Sequence, residues 1–321
     1  MFPGMITGSS TAAVLSAGSI MAPVLALMGI DAVTSGSIIA MGALLGMIAP
    51  PVNTAALIIC AGIDVPYVGF EGPLALITFP LAILFVLLLG YKQARHMDYE
   101  KLKPALEKQD AIRKQYGVRI YIPLLVLVAL MVIFKVLKLG EDIGMPLMFL
   151  ISAAVGLFTG KKINVLTAVP EAIRTAAPVM GILMGVGMFI EVMTATGVRG
   201  LVVISCLRLP STLWLLACAI SIPLFGAVSS YGACSVLGVP FAYIYASLLG
   251  GNSVVVLAAI SLIAAVGDMM PPTALAGLFA AQVTGVEKYT EILKRCIVPI
   301  IILLVYACFF LANSKLIAGL F

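Results

Sequence analysis

The stretch "GDMMPPTALAG", Gly267 to Gly277, puts an aspartate and two consecutive prolines inside a long apolar run. Proline removes a helical N–H and clashes with the preceding turn. A charged side chain at membrane depth costs about 3 kcal/mol or more. The surrounding composition makes the bilayer the relevant solvent. Apolar residues are 62% of the chain and charged residues 10%, whereas a soluble domain carries roughly 25% charged residues. At about 20 residues per span, 321 residues supply many spans. The stretch therefore reads as a membrane helix interrupted on purpose.

The same interruption occurs earlier. "GMIAPP", Gly46 to Pro51, matches "GDMMPP", Gly267 to Pro272, with the glycine four residues before the first proline in both. Upstream, "TGSSTAAVLSAGSIMAP" (Thr7 to Pro23) pairs with "VSSYGACSVLGVP" (Val228 to Pro240). Ser9 precedes Pro50 by 41 residues and Ser229 precedes Pro271 by 42. From the second proline, 11 residues lead to Gly62 and 13 to Gly285. Matched spacing at several landmarks marks an internal duplication.

Charge sets the orientation of the copies. Eight of the 19 Lys/Arg residues lie between Lys92 and Arg119, the pattern of a cytoplasmic loop. Counting apolar segments from that loop makes the first broken segment, 36–63, run outward and the second, 253–284, run inward. The fold expected is an all-α polytopic membrane protein. It has inverted repeats, re-entrant hairpins and Pro-Pro-broken transmembrane helices. Residues 1–91 hold the first repeat: the second arm of a hairpin, the broken helix 36–63 and a following span. Residues 92–119 form the basic loop. Residues 120–321 hold scaffold spans over 120–196, a hairpin over 212–249, the broken helix 253–284 and a terminal span over 296–313. Residues 163–175, of mixed polarity, read as lying along the membrane interface.

Several chemistries are excluded. The net charge of +5 comes largely from one loop and argues for no nucleic-acid partner. The six cysteines have no C-x-x-C pairing and the single histidine is His96, so no metal constellation exists. "MFPGMITGSST" lacks the positive n-region of a signal peptide. An intramembrane aspartyl protease would need two carboxylates sharing a proton. Position 265 is Ala rather than the Gly of a G-x-G-D motif, and no span carries a Tyr-Asp partner.

Inverted repeats with paired interrupted helices point to the site of a secondary transporter. Unpaired backbone is tolerated at membrane depth only where protein buries it or a cavity receives it. There, freed carbonyls and nearby hydroxyls supply the oxygen ligands that a hard cation takes. Each copy offers a candidate ion site. The first sets Gly8, Ser9 and Ser10 against Gly46 and Asn53. The second sets Ser229 and Ser230 against Gly267, Asp268 and Thr273. The turns themselves are Pro50, Pro51, Pro271 and Pro272, and Thr11, Thr54 and Tyr231 are candidate substrate contacts. Asp268 is expected to make a cation welcome; the alternatives are a protonated core acid or a proton carrier. Glu191, in "GMFIEVMTATG", is a further acid with apolar neighbours.

With "GSSTAA", "GSIMAP", "GALLGMIAPPVNT" and "SSYGACSVLGVP", "VGDMMPPTALAG" in view, the chain resembles the large membrane subunit of TRAP (tripartite ATP-independent periplasmic) transporters. That resemblance implies an elevator mechanism, sodium ions near both hairpin tips and an organic anion, such as a C4-dicarboxylate or sugar acid, between them. It implies no cofactor beyond the coupling ions and no enzyme activity. The partners it implies are a small membrane subunit and a periplasmic binding protein, at the bacterial inner membrane. Against that pattern, eight residues before Ser9 are short for an incoming hairpin arm. The expectation is that roughly 100 or more residues precede Met1, at ~20 per span, or that another polypeptide supplies them. A stand-alone sodium- or proton-coupled carboxylate or citrate-type carrier is the alternative, since "PVNT" (Pro51 to Thr54) is similar to the Asn-Thr turns of such carriers.

Overall fold

A computed structural model describes residues 1–95, 117–137, 145–159, 164–198, 213–229, 231–271 and 274–321, with a few isolated positions between them. Every regular element among the described residues is helical. Two units are distinguished, Met1–Asp98 together with Val179–Phe321, and Tyr99–Pro178.

The larger unit begins with a short hairpin. Helix α1 (Phe2–Thr7) ends at Gly8, whose φ of 62° and ψ of 24° are left-handed, a conformation glycine reaches without a Cβ penalty. Ser9 then caps the next helix by accepting from Ala12 N. That arm runs as α2 (Ser10–Ala13), a π turn (Val14–Gly18) and α3 (Ser19–Leu27). It is continuous over 18 residues and apolar enough to cross a bilayer.

The first broken helix follows. Asp31 caps α4 (Ala32–Ile48) through Thr34 N. Ala49, at φ −65° and ψ 147°, is extended because the residue before a proline is pushed out of the helical region. Asn53 restarts the helix as the cap of α5 (Thr54–Gly62), its Oδ1 accepting from Ala56 N at 2.9 Å. At 1.5 Å per residue, α4 is about 25 Å long and α5 about 13 Å. The continuous helix α6 (Glu71–Ala94) comes next.

The smaller unit contains α7 (Ile122–Leu137) and α8 (Met145–Thr159), tied where Ser152 Oγ donates to Pro123 O at 2.6 Å. A single 31-residue helix, α9 (Val165–Ala195), takes in most of the segment expected to lie along the interface. Pro170, the sixth residue of α9, removes the N–H that would reach Leu166 O, yet the helix continues to Ala195.

Back in the larger unit, α10 (Trp214–Ser229) and α11 (Tyr231–Tyr243) form the second hairpin, continued by a π turn (Ile244–Leu248). Asn252 caps α12 (Ser253–Ala265). A 3₁₀ turn, Val266–Met269, leads to an extended Met270 before Pro271. Helix α13 (Leu275–Thr284) ends at left-handed Gly285. Helix α14 (Tyr289–Ala312) starts one to two turns before the expected 296, since Glu291, Lys294 and Arg295 interrupt the apolar run but not the helix. Helix α15 (Ser314–Ala318) closes the chain.

The two broken segments run antiparallel. A Cβ on Gly36, at the start of α4, would lie 3.1 Å from Thr284 Oγ1 at the end of α13. The hairpins meet these segments in matched fashion. A Cβ on Gly4 would fall 2.8 Å from Gly46 C, and one on Gly226 would fall 2.4 Å from Gly267 Cα. Helix α12 is buried over its whole middle, Val255 to Ala265. By contrast α6 exposes Ile83, Val86 and Leu87, and α14 exposes Ile297, Ile301 and Val305. Apolar faces of that extent suit lipid rather than water.

Candidate functional site

The polar centre of the larger unit lies where the breaks and the hairpin tips converge. Asp268 is fully buried. Its Oδ2 accepts from Ser10 Oγ at 2.5 Å and its Oδ1 from Tyr231 N at 3.1 Å. One carboxylate thus ties the starts of both outgoing hairpin arms to the second break. The 3₁₀ turn aims it there by tightening the end of α12 before Pro271.

The first break is reached from the opposite copy. Asn53 Nδ2 donates to Ser261 Oγ on α12 at 2.8 Å, and Ser261 Oγ donates to Ala258 O at 2.8 Å. Thr54 Oγ1 donates to Gly8 O at 2.8 Å. The sequence groups Ser10 with Asn53 and places Asp268 with its own hairpin. The structure binds Ser10 to Asp268 and Asn53 to α12, so the residues of the two candidate sites interlock across the repeats. A sequence repeat aligns equivalent positions but carries no record of which copy each one touches.

The remaining candidates divide. Ser9 is spent as a helix cap. The Gly46 carbonyl has no i+4 donor because position 50 is proline. The Gly267 carbonyl accepts from Met270 N at 3.1 Å, so the second break recovers one of the oxygens expected to be freed. Ser229 ends α10, and its side chain, with Ser230, Pro272 and Thr273, lies outside the described residues. Thr11 is half-buried on α2, and Glu191 is exposed on α9. The groove between α3, α4 and α6, lined by Met21, Ile38, Ile39 and Phe85, is apolar and separate from this centre.

The hydrogen bonds fix what the oxygens can still do. Ser10, Thr54 and Ser261 each donate their only hydroxyl proton inside the protein. A hydroxyl keeps two lone pairs and an ionised carboxylate about four. Asp268 already accepts two bonds and Ser261 one from Asn53, so the acceptor capacity that remains is part of each oxygen's lone pairs.

The family model of the Tripartite ATP-independent periplasmic transporter, DctM component, matches residues 1–314. The chain belongs to this family. It is a multi-pass membrane permease component of a TRAP transporter, a transporter rather than an enzyme. No curated protein matches the chain.

Within this DctM chain the sequence reading missed two residues. Ser261 carries no signal, being one serine in an apolar helix. Tyr67 sits in the loop after α5, where its hydroxyl accepts from Asn53 N and donates to Pro51 O, both at 3.2 Å. Its signal was available: an aromatic with a polar tip lies 14 residues past a break that must be satisfied.

Proposed function

We propose that this DctM component is the permease of a sodium-coupled secondary active importer, taking up an organic anion of the carboxylate class. A periplasmic binding protein delivers the substrate, a small membrane subunit completes the complex, and the assembly works in the bacterial inner membrane by an elevator movement. The observation that carries the coupling is the donor bookkeeping at the centre. The hydroxyl protons of Ser10, Thr54 and Ser261 are used internally, and Ser10 keeps its lone pairs next to the Asp268 carboxylate that it donates to. Oxygens of that kind favour sodium. The anion is expected next to the bound cations, between the two tips, with Thr11, Thr54 and Tyr231 nearby.

The test is uptake into proteoliposomes by the complete complex, with radiolabelled C4-dicarboxylates and sugar acids as probes. An inward sodium gradient should drive accumulation, and a potassium gradient of the same size should not. Uptake driven equally by a proton gradient without sodium would overturn sodium coupling.

A further inference from the structure

We infer that Tyr67 is the positioning residue of the first broken helix, holding its gap open for the coupling cation from a loop outside the repeat motif. The inference deepens the sodium-coupled reading above and rests on it.

A break in a membrane helix leaves backbone groups that must all be satisfied. Between α4 and α5 the N–H groups can be followed one by one. Ala49 N still bonds Leu45 O. Pro50 and Pro51 have no N–H. Val52 N donates to Met5 O of α1 at 3.3 Å. Asn53 N donates to Tyr67 OH, which in turn donates to Pro51 O. Among the described residues, Tyr67 is thus the one side chain that serves a donor and an acceptor of the break at once, on either side of Val52.

Its own placement is fixed. The ring stacks on Phe70 at a centroid distance of 4.7 Å and an interplanar angle of 12°, and Phe70 is buried. Asn53, held through its backbone by Tyr67, uses its side chain to cap α5 and to reach Ser261. The hydroxyl therefore controls the residue that sets the start of α5 and its tie to the other repeat. At the second break the matching loop is only Gly285 to Lys288. Among the described residues there, the Asp268 carboxylate holds the hairpin start through Tyr231 N.

The experiment is sodium-dependent thermal stabilisation of the full-length protein with its partner subunits. Sodium chloride alone is titrated against choline chloride, for wild type, Tyr67→Phe and the same position carrying 4-aminophenylalanine. Phe keeps the ring and the stack and removes the hydroxyl. The expected result is a half-saturating sodium concentration raised ~3–10-fold, the worth of one or two hydrogen bonds, with the melting temperature in choline nearly unchanged. The aromatic amine, which restores a donor to Pro51 O, should recover most of the affinity. Exchange of the Asn53 amide, followed by mass spectrometry on peptides from 50–60, should quicken in Tyr67→Phe. If that variant does not fold, the 4-aminophenylalanine variant against wild type gives the same comparison, with an intermediate shift expected. Unchanged half-saturating sodium in the variants would overturn the inference while leaving sodium coupling standing. Wild type that gains no stability from sodium would overturn the coupling reading itself.

Discussion

Ser10 and Asp268 are 258 residues apart and joined by a hydrogen bond of 2.5 Å between Ser10 Oγ and Asp268 Oδ2. The serine begins the outgoing arm of the first hairpin and the aspartate ends the upper half of the second broken helix. Because the same carboxylate also accepts from Tyr231 N, removing charge and removing a ligand can be separated. Asp268→Asn keeps one carbonyl oxygen and presents an NH₂ to a donor, so it should raise half-saturating sodium for uptake by about tenfold or more, with a smaller loss of stability. Ser10→Ala should raise it by ~3-fold. Uptake against sodium concentration in proteoliposomes checks both. An unchanged sodium dependence in Asp268→Asn would remove the residue from the site.

Asn53 and Ser261 form the second tie between the copies. Ser261→Ala strands a buried amide N–H at a cost of about 1–3 kcal/mol. Asn53→Ala also loses the cap of α5, for about 2 kcal/mol. The double variant should be less destabilised than the two losses added, since each removes the same bond. Thermal unfolding of the four proteins in one detergent measures the coupling.

The glycine contacts predict a position-specific result. Gly226→Ala brings a methyl 2.3 Å from Cys234 Sγ and 2.4 Å from Gly267 Cα, and Gly46→Ala meets Met1 O at 2.4 Å. Backbone cannot yield as a side chain can, so Gly226→Ala should cost about 3 kcal/mol or more. Gly42→Ala is the control, its nearest atom lying 4.0 Å away. Equal melting temperatures for Gly226→Ala and Gly42→Ala would contradict the packing.

The end of the bundle away from the centre carries a pH dependence. Burial tends to raise the Asp31 pKa, but the Thr34 N–H, the Gln93 amide and the Arg295 charge outweigh it and hold the carboxyl below its ordinary value of 3.8. A carboxyl lowered in the folded state adds stability above its unfolded value and loses it as pH falls through the folded one. Asp31→Asn keeps a capping side chain, so its melting temperature should lie below wild type at pH ~6 and converge with it below pH ~4. A gap that persists in acid would assign the effect to geometry instead of charge.

Much of this architecture was readable in advance. The broken helices followed from Pro50-Pro51 and Pro271-Pro272, because the missing N–H and the restraint on the preceding residue act locally. The antiparallel arrangement followed from counting the apolar segments between the two breaks. The pairing of Ser10 with Asp268 and of Asn53 with Ser261 was not legible. Each is a contact between copies, and spacing within a copy constrains only that copy.

The cross-repeat ties also govern the order in which the protein can be made. Ser10 is synthesised 258 residues before Asp268, and Asn53 is synthesised 208 residues before Ser261. At ~5–20 residues per second, the interval for Ser10 is roughly 13–50 s. Throughout it the first repeat stands in or beside the membrane without its partners for the Ser10 hydroxyl and the Asn53 amide. The nascent first half therefore needs a surrogate for those bonds, from water, lipid headgroups or the insertion machinery, until α12 arrives. Slowing translation between residues 98 and 253 should lengthen that exposure and increase degradation of the newborn chain, while slowing after residue 268 should not.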